Sequence, residues 1–445
     1  MANPTSNTPT SVSGLFKKVY ASLEDLIPEG YVFQKEIAPF LAAKKSGESV
    51  SYSIVLAQEN GISFMGADGS IGTFADPQSG QVKEAVIKGC ESFVSTGIST
   101  AALSRSASEG EASFKKASVQ RVKANLKSHF RFLEQVSLYG QDAAGIGRVG
   151  YFTSSWKGVA FTNGGGTLAG VVFTAGINAA AKKILINPAD QASGIYLGAE
   201  GCEVSQRAVG GAIVASGKIT QVDLDNGILT VDFTPVAATT ATSHAVELLG
   251  QNSGGAGLEC LGAKGILTKS GVVFGIDNSI YGLWKGSSVD LLQTKLTFDK
   301  LVSAVMSACN KGLDKDLQVL VSLETWGKLL TEQSALRKYD SSYTPVEVEN
   351  GSEAIKFHCV NGSIEIIPSR FIRRSDAFCF AKDTWQCIGS SDLTMKVPGL
   401  DDNELIQKPI SQNQFIFRSY SDKAPICLAP AQSVYIGGID PQSAV

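Results

Sequence analysis

From Ser113 to Gly140 apolar residues recur at helical spacing. Val119, Val122, Leu126, Phe130 and Leu133 stand three or four positions apart, which lines them along one face of a helix. Gly140 supplies the stop, because glycine tolerates the left-handed conformation in which helices commonly end. At 1.5 Å per residue this helix runs about 40 Å. That length suits a scaffold beam. Lys116, Lys123, Lys127 and Arg131 form a cationic stripe beside the apolar one, and no acidic residue falls between Lys115 and Arg131.

The chain before this helix has little core. Residues 1–13 are rich in Ser, Thr and Pro, a composition expected to be mobile. Leu15, Val19 and Leu23 predict a short helix, and Pro28 and Pro39 break the rest into extended pieces. With no neighbouring element to pair with, this segment reads as an arm that packs on something else. In ESVSYSIVLA, residues 48–57, Val50, Tyr52 and Ile54 alternate with serines, the pattern of a half-buried strand. Gly61, Gly66, Gly69 and Gly72 follow, and from Asp76 to Glu111 the chain is small and polar apart from Ala85-Val86-Ile87. Loops beyond about 15 residues are unusual in compact domains, so a long two-stranded excursion away from the body is expected here.

After Gly150 the pattern turns to strands. Ile219–Leu224 and Ile228–Phe233 flank Asp225-Asn226-Gly227, a hairpin signal inside what reads as a small inserted β domain. Phe298, Leu301, Val302, Val305 and Met306 mark an amphipathic helix. LQVLVSLETWGKLL predicts a buried strand running into a short helix, and residues 354–360 and 363–367 pair across Asn361-Gly362. The fold class is α+β with more strand than helix, and no fixed-period repeat is present.

Composition narrows the function classes. A net charge of −3 excludes a strongly basic, histone-like binder. Charged residues at only 18% and 46 glycines suit a subunit that covers much of its surface with neighbours. The eight cysteines are scattered without a CxxC pair, as expected of a chain made in a reducing cytoplasm. No stretch approaches the about 20 apolar residues that span a membrane, and the N-terminus carries no apolar signal core.

Candidate chemistry is weak throughout. Gly145-Ile146-Gly147-Arg148-Val149-Gly150 matches GxGxxG, yet it follows a helix and leads into YFTSSW, the reverse of the strand-then-helix setting a dinucleotide needs. Asn163-Gly164-Gly165-Gly166 lacks the Lys-Ser/Thr of a phosphate loop. Asp223, Asp225, Asn226 and Gly227 place glycine one position early for a calcium loop, and position twelve is Thr234. His129 sits beside the apolar stripe as a boundary residue, and His244 has no ligand at metal spacing. His358 and Cys359 are strand neighbours that point to opposite faces. Asp401, Asp402 and Glu404 read as a solvated loop. No catalytic, metal or cofactor site is expected.

The order of these segments resembles the major capsid proteins of tailed bacteriophages, in the Hong Kong ninety-seven fold shared with encapsulin shells. LFKKVYASLEDLIPEG resembles the start of many short-tailed phage capsid proteins, and LEQVSLYGQ resembles the end of the family's spine helix. FGIDNSIYGLWKG, LQVLVSLETWGKLL, the run from Ala354 to Pro368, IGSSDLTMKVPG and FRSYSDKAPICLAPAQSVYIGGI are similar to later family segments.

The resemblance implies an N-terminal arm at 1–42, an extended loop at 43–110 and a spine helix of the peripheral domain at 111–150. It further implies a peripheral/axial connection at 151–184, an inserted β domain at 185–262, an axial domain with part of the peripheral domain at 263–400, and C-terminal strands at 401–445. The implied function is a non-enzymatic subunit that self-assembles into an icosahedral shell around double-stranded DNA. Its implied partners are copies of itself as pentamers and hexamers, scaffolding and portal proteins, a decoration protein and packaged DNA, with no membrane. Assembly would take place in the bacterial cytoplasm, and the virion would be the final location. Lys116, Lys123, Lys127 and Arg131 would be the DNA-facing residues. Some family members cross-link through lysine, and Lys44, Lys45, Lys83 and Lys88 lie in the loop, where uncross-linked lysines are the expectation. An encapsulin-type compartment and an enzyme using Gly145–Gly150 are the competing readings.

Overall fold

The computed structural model describes residues 31–41, 49–64, 67, 72–77, 79–101, 117–141, 150–152, 155–156, 159–160, 166–174, 176–208, 213–236, 244–248, 252–253, 256–339, 355–359, 362–396, 406–407 and 413–441. The two-stranded excursion is present. Strands β1 (Val50–Ala57) and β2 (Gln81–Ile87) pair antiparallel from Val50↔Ile87 to Val55↔Val82 and form a separate two-stranded sheet. A strand not expected from the sequence follows at once. β3 (Glu91–Ser99) runs antiparallel to a C-terminal strand for nine residues.

The long helix, α1, spans Ala117–Tyr139, about 35 Å at 1.5 Å per residue. Residues 113–116 of the expected span lie outside the described residues. Gly140 ends the helix for a different reason from the one expected. Its backbone is not left-handed. A Cβ there would stand 2.6 Å from the Val136 carbonyl oxygen and collide with the carbonyl oxygen of Cys260. The backbone of 260–262 abuts the helix end, where Gln141 N–H donates to Cys260 O at 2.9 Å and Gly262 N–H to Gln141 O at 3.2 Å.

The expected β insertion is strand-built, with its hairpin in place. Ile213–Asp223 pairs with Ile228–Val231, and Gly227 takes the left-handed conformation at φ 65° that the turn demands. The insertion is not walled off at 185. Its strands belong to a seven-stranded sheet that also takes in Gly150–Tyr151, Ile177–Asn178 and Lys183–Leu185. Val204, Ile219, Leu229 and Val246 join Leu138, Phe371 and Phe380 in one core.

The second large sheet has six strands, in spatial order Ser287–Thr294, Val434–Ile439, Ala377–Ala381, Leu317–Val321, Gly362–Pro368 and Ile355–Cys359. Two of its pairs are parallel. All five residues of its strand Ala377–Ala381 are buried, so its apolar run AFCFA serves two faces. The period of two divides them. Phe378 and Phe380 enter the first core, and Ala377, Cys379 and Ala381 enter a second under the helix Phe298–Cys309. That helix is capped by Thr297, whose hydroxyl accepts from Lys300 N–H at 3.4 Å. It buries Leu301, Ala304, Val305 and Ala308, so its inner face is rotated toward its alanines and leaves the expected Met306 at the edge. The helix after Leu317–Val321 runs from Leu323 to Tyr339, longer than expected. The hairpin across 360–361 pairs Ile355–Cys359 with Gly362–Pro368, as expected.

The last sheet joins the ends of the chain. β4 (Gln414–Cys427) pairs with β3 along one edge and with Trp385–Thr394 and Ile406–Gln407 along the other. Residues 31–41, the described part of the expected arm, pack into their own chain. Phe33 is fully buried with ring centroids 5.1 Å from Phe380 and 5.8 Å from Trp385. Leu41 and Cys387 backbone groups bond at 3.0 Å.

Candidate assembly and interior surfaces

The helix α1 is fastened to the sheet and to the arm by polar side chains. Asn125 Nδ2 donates to Val94 O at 2.9 Å and to Thr96 Oγ1 at 2.8 Å, both on β3. One turn on, His129 bridges two strands, with Nε2 2.8 Å from Ser92 Oγ on β3 and Nδ1 2.8 Å from Ser419 Oγ on β4. Burial, reinforced by the nearby Lys423 ammonium, pushes the imidazole down to about 4. At neutral pH the ring is therefore uncharged, and one nitrogen donates while the other accepts. Glu134 is fully buried and accepts from the arm, from Phe33 N–H at 2.8 Å and Gln34 N–H at 3.1 Å. Burial pushes its carboxyl up to about 7, against the opposing pull of those two N–H groups.

The four expected DNA-facing residues do not share one environment. Lys116 lies outside the described residues. Lys123 is exposed, and Lys127 is half-buried, its own backbone carbonyl accepting from Tyr31 OH at 3.3 Å. Arg131 is turned inward and buried, and its Nη1 donates to Leu197 O at 2.6 Å. The sequence places these cations on one helix flank, but not the Ser193–Tyr196 turn and Leu197 that close over Arg131.

The excursion is anchored at its root and bare toward its tip. Leu56 and Ala85 pack with Ile276 and Trp284, and Ile87 packs with Ile388, Ala424 and Ile426. Polar ties reinforce the root, with Tyr281 OH donating to Gln81 Oε1 at 2.6 Å and Val86 N–H to Phe274 O at 3.0 Å. Val55 and Val82, paired within the ladder, are exposed, as is Ile62 beyond it, and Phe64 and Phe74 are 93% and 80% exposed.

Of the remaining motifs, residues 145–149, residues 163–165 of the Asn163–Gly166 run and residues 401–405 lie outside the described residues. Gly150 opens a strand rather than the helix that phosphate binding would require. Asp223 Oδ1 and Oδ2 accept from Asn226 N–H and Nδ2 at 3.1 and 2.9 Å, which closes the hairpin turn. Among the described residues no group of three His, Cys, Asp or Glu is placed to hold a metal ion, and no helix is long and apolar enough to cross a membrane.

No protein-family model matches the chain, and no curated protein matches it in sequence. Solved structures do match. The capsid asymmetric unit of cyanophage A-1(L) superposes over 95% of this chain and 97% of its own, with a TM-score of 0.53 at 8% identity. This chain has the tailed-phage capsid fold. Two further solved structures align over 97% of the chain. The capsid of a native GTA particle does so with a TM-score of 0.45, 9% identity and 99% of its own chain. The capsid of cyanophage P-SCSP1u does so with 0.43, 11% and 95%. The capsid fold accommodates the arm, the excursion, the spine helix α1 and both large sheets as parts of one architecture.

Proposed function

We propose that this chain is a major capsid subunit, a structural protein that assembles as pentamers and hexamers into an icosahedral shell around double-stranded DNA. The observation that carries the proposal is the correspondence with a phage capsid subunit over nearly the whole length of both chains. The excursion supports it independently. Phe64 and Phe74 are bare among the described residues, a neighbouring copy lying over the excursion would cover them, and a head-to-tail contact of this kind closes into rings. The role is mechanical. The polar seam of Asn125, His129 and Glu134 holds spine, sheet and arm as one block, from which the excursion reaches a neighbouring copy. Lys116, Lys123 and Lys127 would face the interior and soften repulsion between DNA and an acidic shell, while Arg131 holds the helix that carries them. Scaffolding, portal and decoration proteins are the partners such a shell would use, and the host cytoplasm is where it would assemble.

Negative-stain microscopy of the protein expressed alone, and with its genomic neighbours, tests the proposal. Closed shells or five- and six-membered rings are the expected result, with nuclease-protected DNA in particles from infected cells. A protein that stays monomeric at high concentration overturns it, and a packaged enzyme in place of DNA turns it to the encapsulin-type reading.

A further inference from the structure

Cys90 lies between β2 and β3, at the root of the excursion, and Cys260 lies in the backbone that abuts the end of α1. The two residues are 170 positions apart in sequence and line the same cavity of about 540 Å³. Cys90 Sγ donates at 3.0 Å to the carbonyl oxygen of Leu258, two residues before Cys260, and each thiol perturbs the ionisation of the other. Neither residue sits in a strand or helix, so closing a bond between the sulfurs would break no strand pairing. Both are free cysteines, with the Cys260 thiol the more deeply buried of the two. Cys202 also lines the cavity, but it is taken up by Arg131, whose Nη2 stands 3.8 Å from its sulfur.

We propose that Cys90 and Cys260 are an oxidation site, a thiol pair that closes to an intrachain disulfide and fastens the root of the excursion to the end of the spine helix. The oxidant is a small-molecule disulfide that enters through the cavity. The Cys90 thiolate attacks one sulfur of that disulfide, forming a mixed disulfide and releasing one thiol. The Cys260 thiolate then attacks the Cys90 sulfur and releases the second thiol, so the pair loses two electrons and two protons and the oxidant gains them. Cys90 is the first nucleophile, because the neighbouring Cys260 holds its thiol below the usual value, whereas the neighbouring Cys90 and burial push Cys260 up. A reducing cytoplasm keeps the pair open, and oxidation outside the cell closes it. On the capsid reading, on which only this timing rests, the link forms after assembly and adds a covalent tie to a root already held by packing.

The test is a thiol map of the folded full-length protein before and after incubation with oxidised glutathione. Free thiols are alkylated on unfolding, and the peptides are read by mass spectrometry. Six of the eight cysteines should remain alkylated after oxidation, with the Cys90 and Cys260 peptides joined, lighter by two hydrogens, and separated again by dithiothreitol. Cys202→Ser should leave the link in place, and Cys90→Ser should abolish it. Eight alkylated cysteines after oxidation, or a link that joins Cys202 or a second chain, overturns the proposal. Linked chains that never form shells would sink the capsid reading and leave this one standing, and shells without the link would do the reverse.

Discussion

At the residue scale the seam residue His129 has the clearest consequence. Its neutral ring joins Ser92 to Ser419, and its folded value of about 4 lies below the ordinary 6.5. Between those values the unfolded chain binds the proton and the folded chain does not. Stability from this group is therefore present above pH 6.5 and lost as pH falls through about 4. The full loss is about 3 kcal/mol. Glu134, raised to about 7 by burial, acts in the opposite sense, but it contributes alike to wild type and to a His129 variant. His129→Gln should thus lower stability at pH 7.5 by about 1–3 kcal/mol through lost hydrogen bonds, and it should flatten the decline toward pH 4. Urea midpoints of both proteins at pH 7.5, 5.5 and 4.5 measure this, and parallel pH profiles would refute it. The sequence makes His129 look like a boundary residue because it shows the helix face without what lies across it. The two serines stand 37 and 290 positions away.

At the scale of elements, the excursion was legible because it lacked something. Val50, Tyr52 and Ile54 signalled one strand, and the weak pattern after it signalled a reach away from any core. Strand β3 was hidden for a related reason. Its inward residues include Ser92 and Thr96, which read as solvent-facing until His129 and Asn125 are seen to satisfy them. The bounds of the β insertion were hidden differently, since Gly150–Tyr151 and Ile177–Asn178 are too short to carry an alternation. Arg131 looked like its stripe neighbours because a period of 3.6 gives direction around the helix but not depth. The excursion also yields a prediction that separates folding from assembly. Phe64→Ser with Phe74→Ser removes exposed aromatic surface that touches no core, so the isolated subunit should keep its stability within about 0.5 kcal/mol. The same double change should abolish shells or rings in sedimentation and microscopy. A variant that assembles as well as wild type would show that these side chains are not the contact.

At the scale of the whole molecule, charge decides what the interior can hold. The chain carries a net charge of −3, so on the capsid proposal a shell of many copies would repel DNA unless its inner wall were locally basic. Lys123 is exposed on the spine helix and Lys127 is half-buried beside it, and on the proposed function each would recur once per copy around the shell. Arg131 is left out of the test because it is bonded to Leu197 O, and changing it would disturb the fold as well as the charge. Lys123→Gln with Lys127→Gln should leave shell formation intact and make filled particles sensitive to low salt. Screening sets the direction, since the Debye length grows from about 8 Å at 0.15 M to about 30 Å at 0.01 M. Repulsion between DNA and wall is therefore greatest in dilute buffer. Variant particles dialysed from 0.15 M to 0.01 M salt should release DNA that wild-type particles retain, read as nuclease-accessible DNA and as empty shells in micrographs. Equal retention at both ionic strengths would show that these two lysines face something other than the genome.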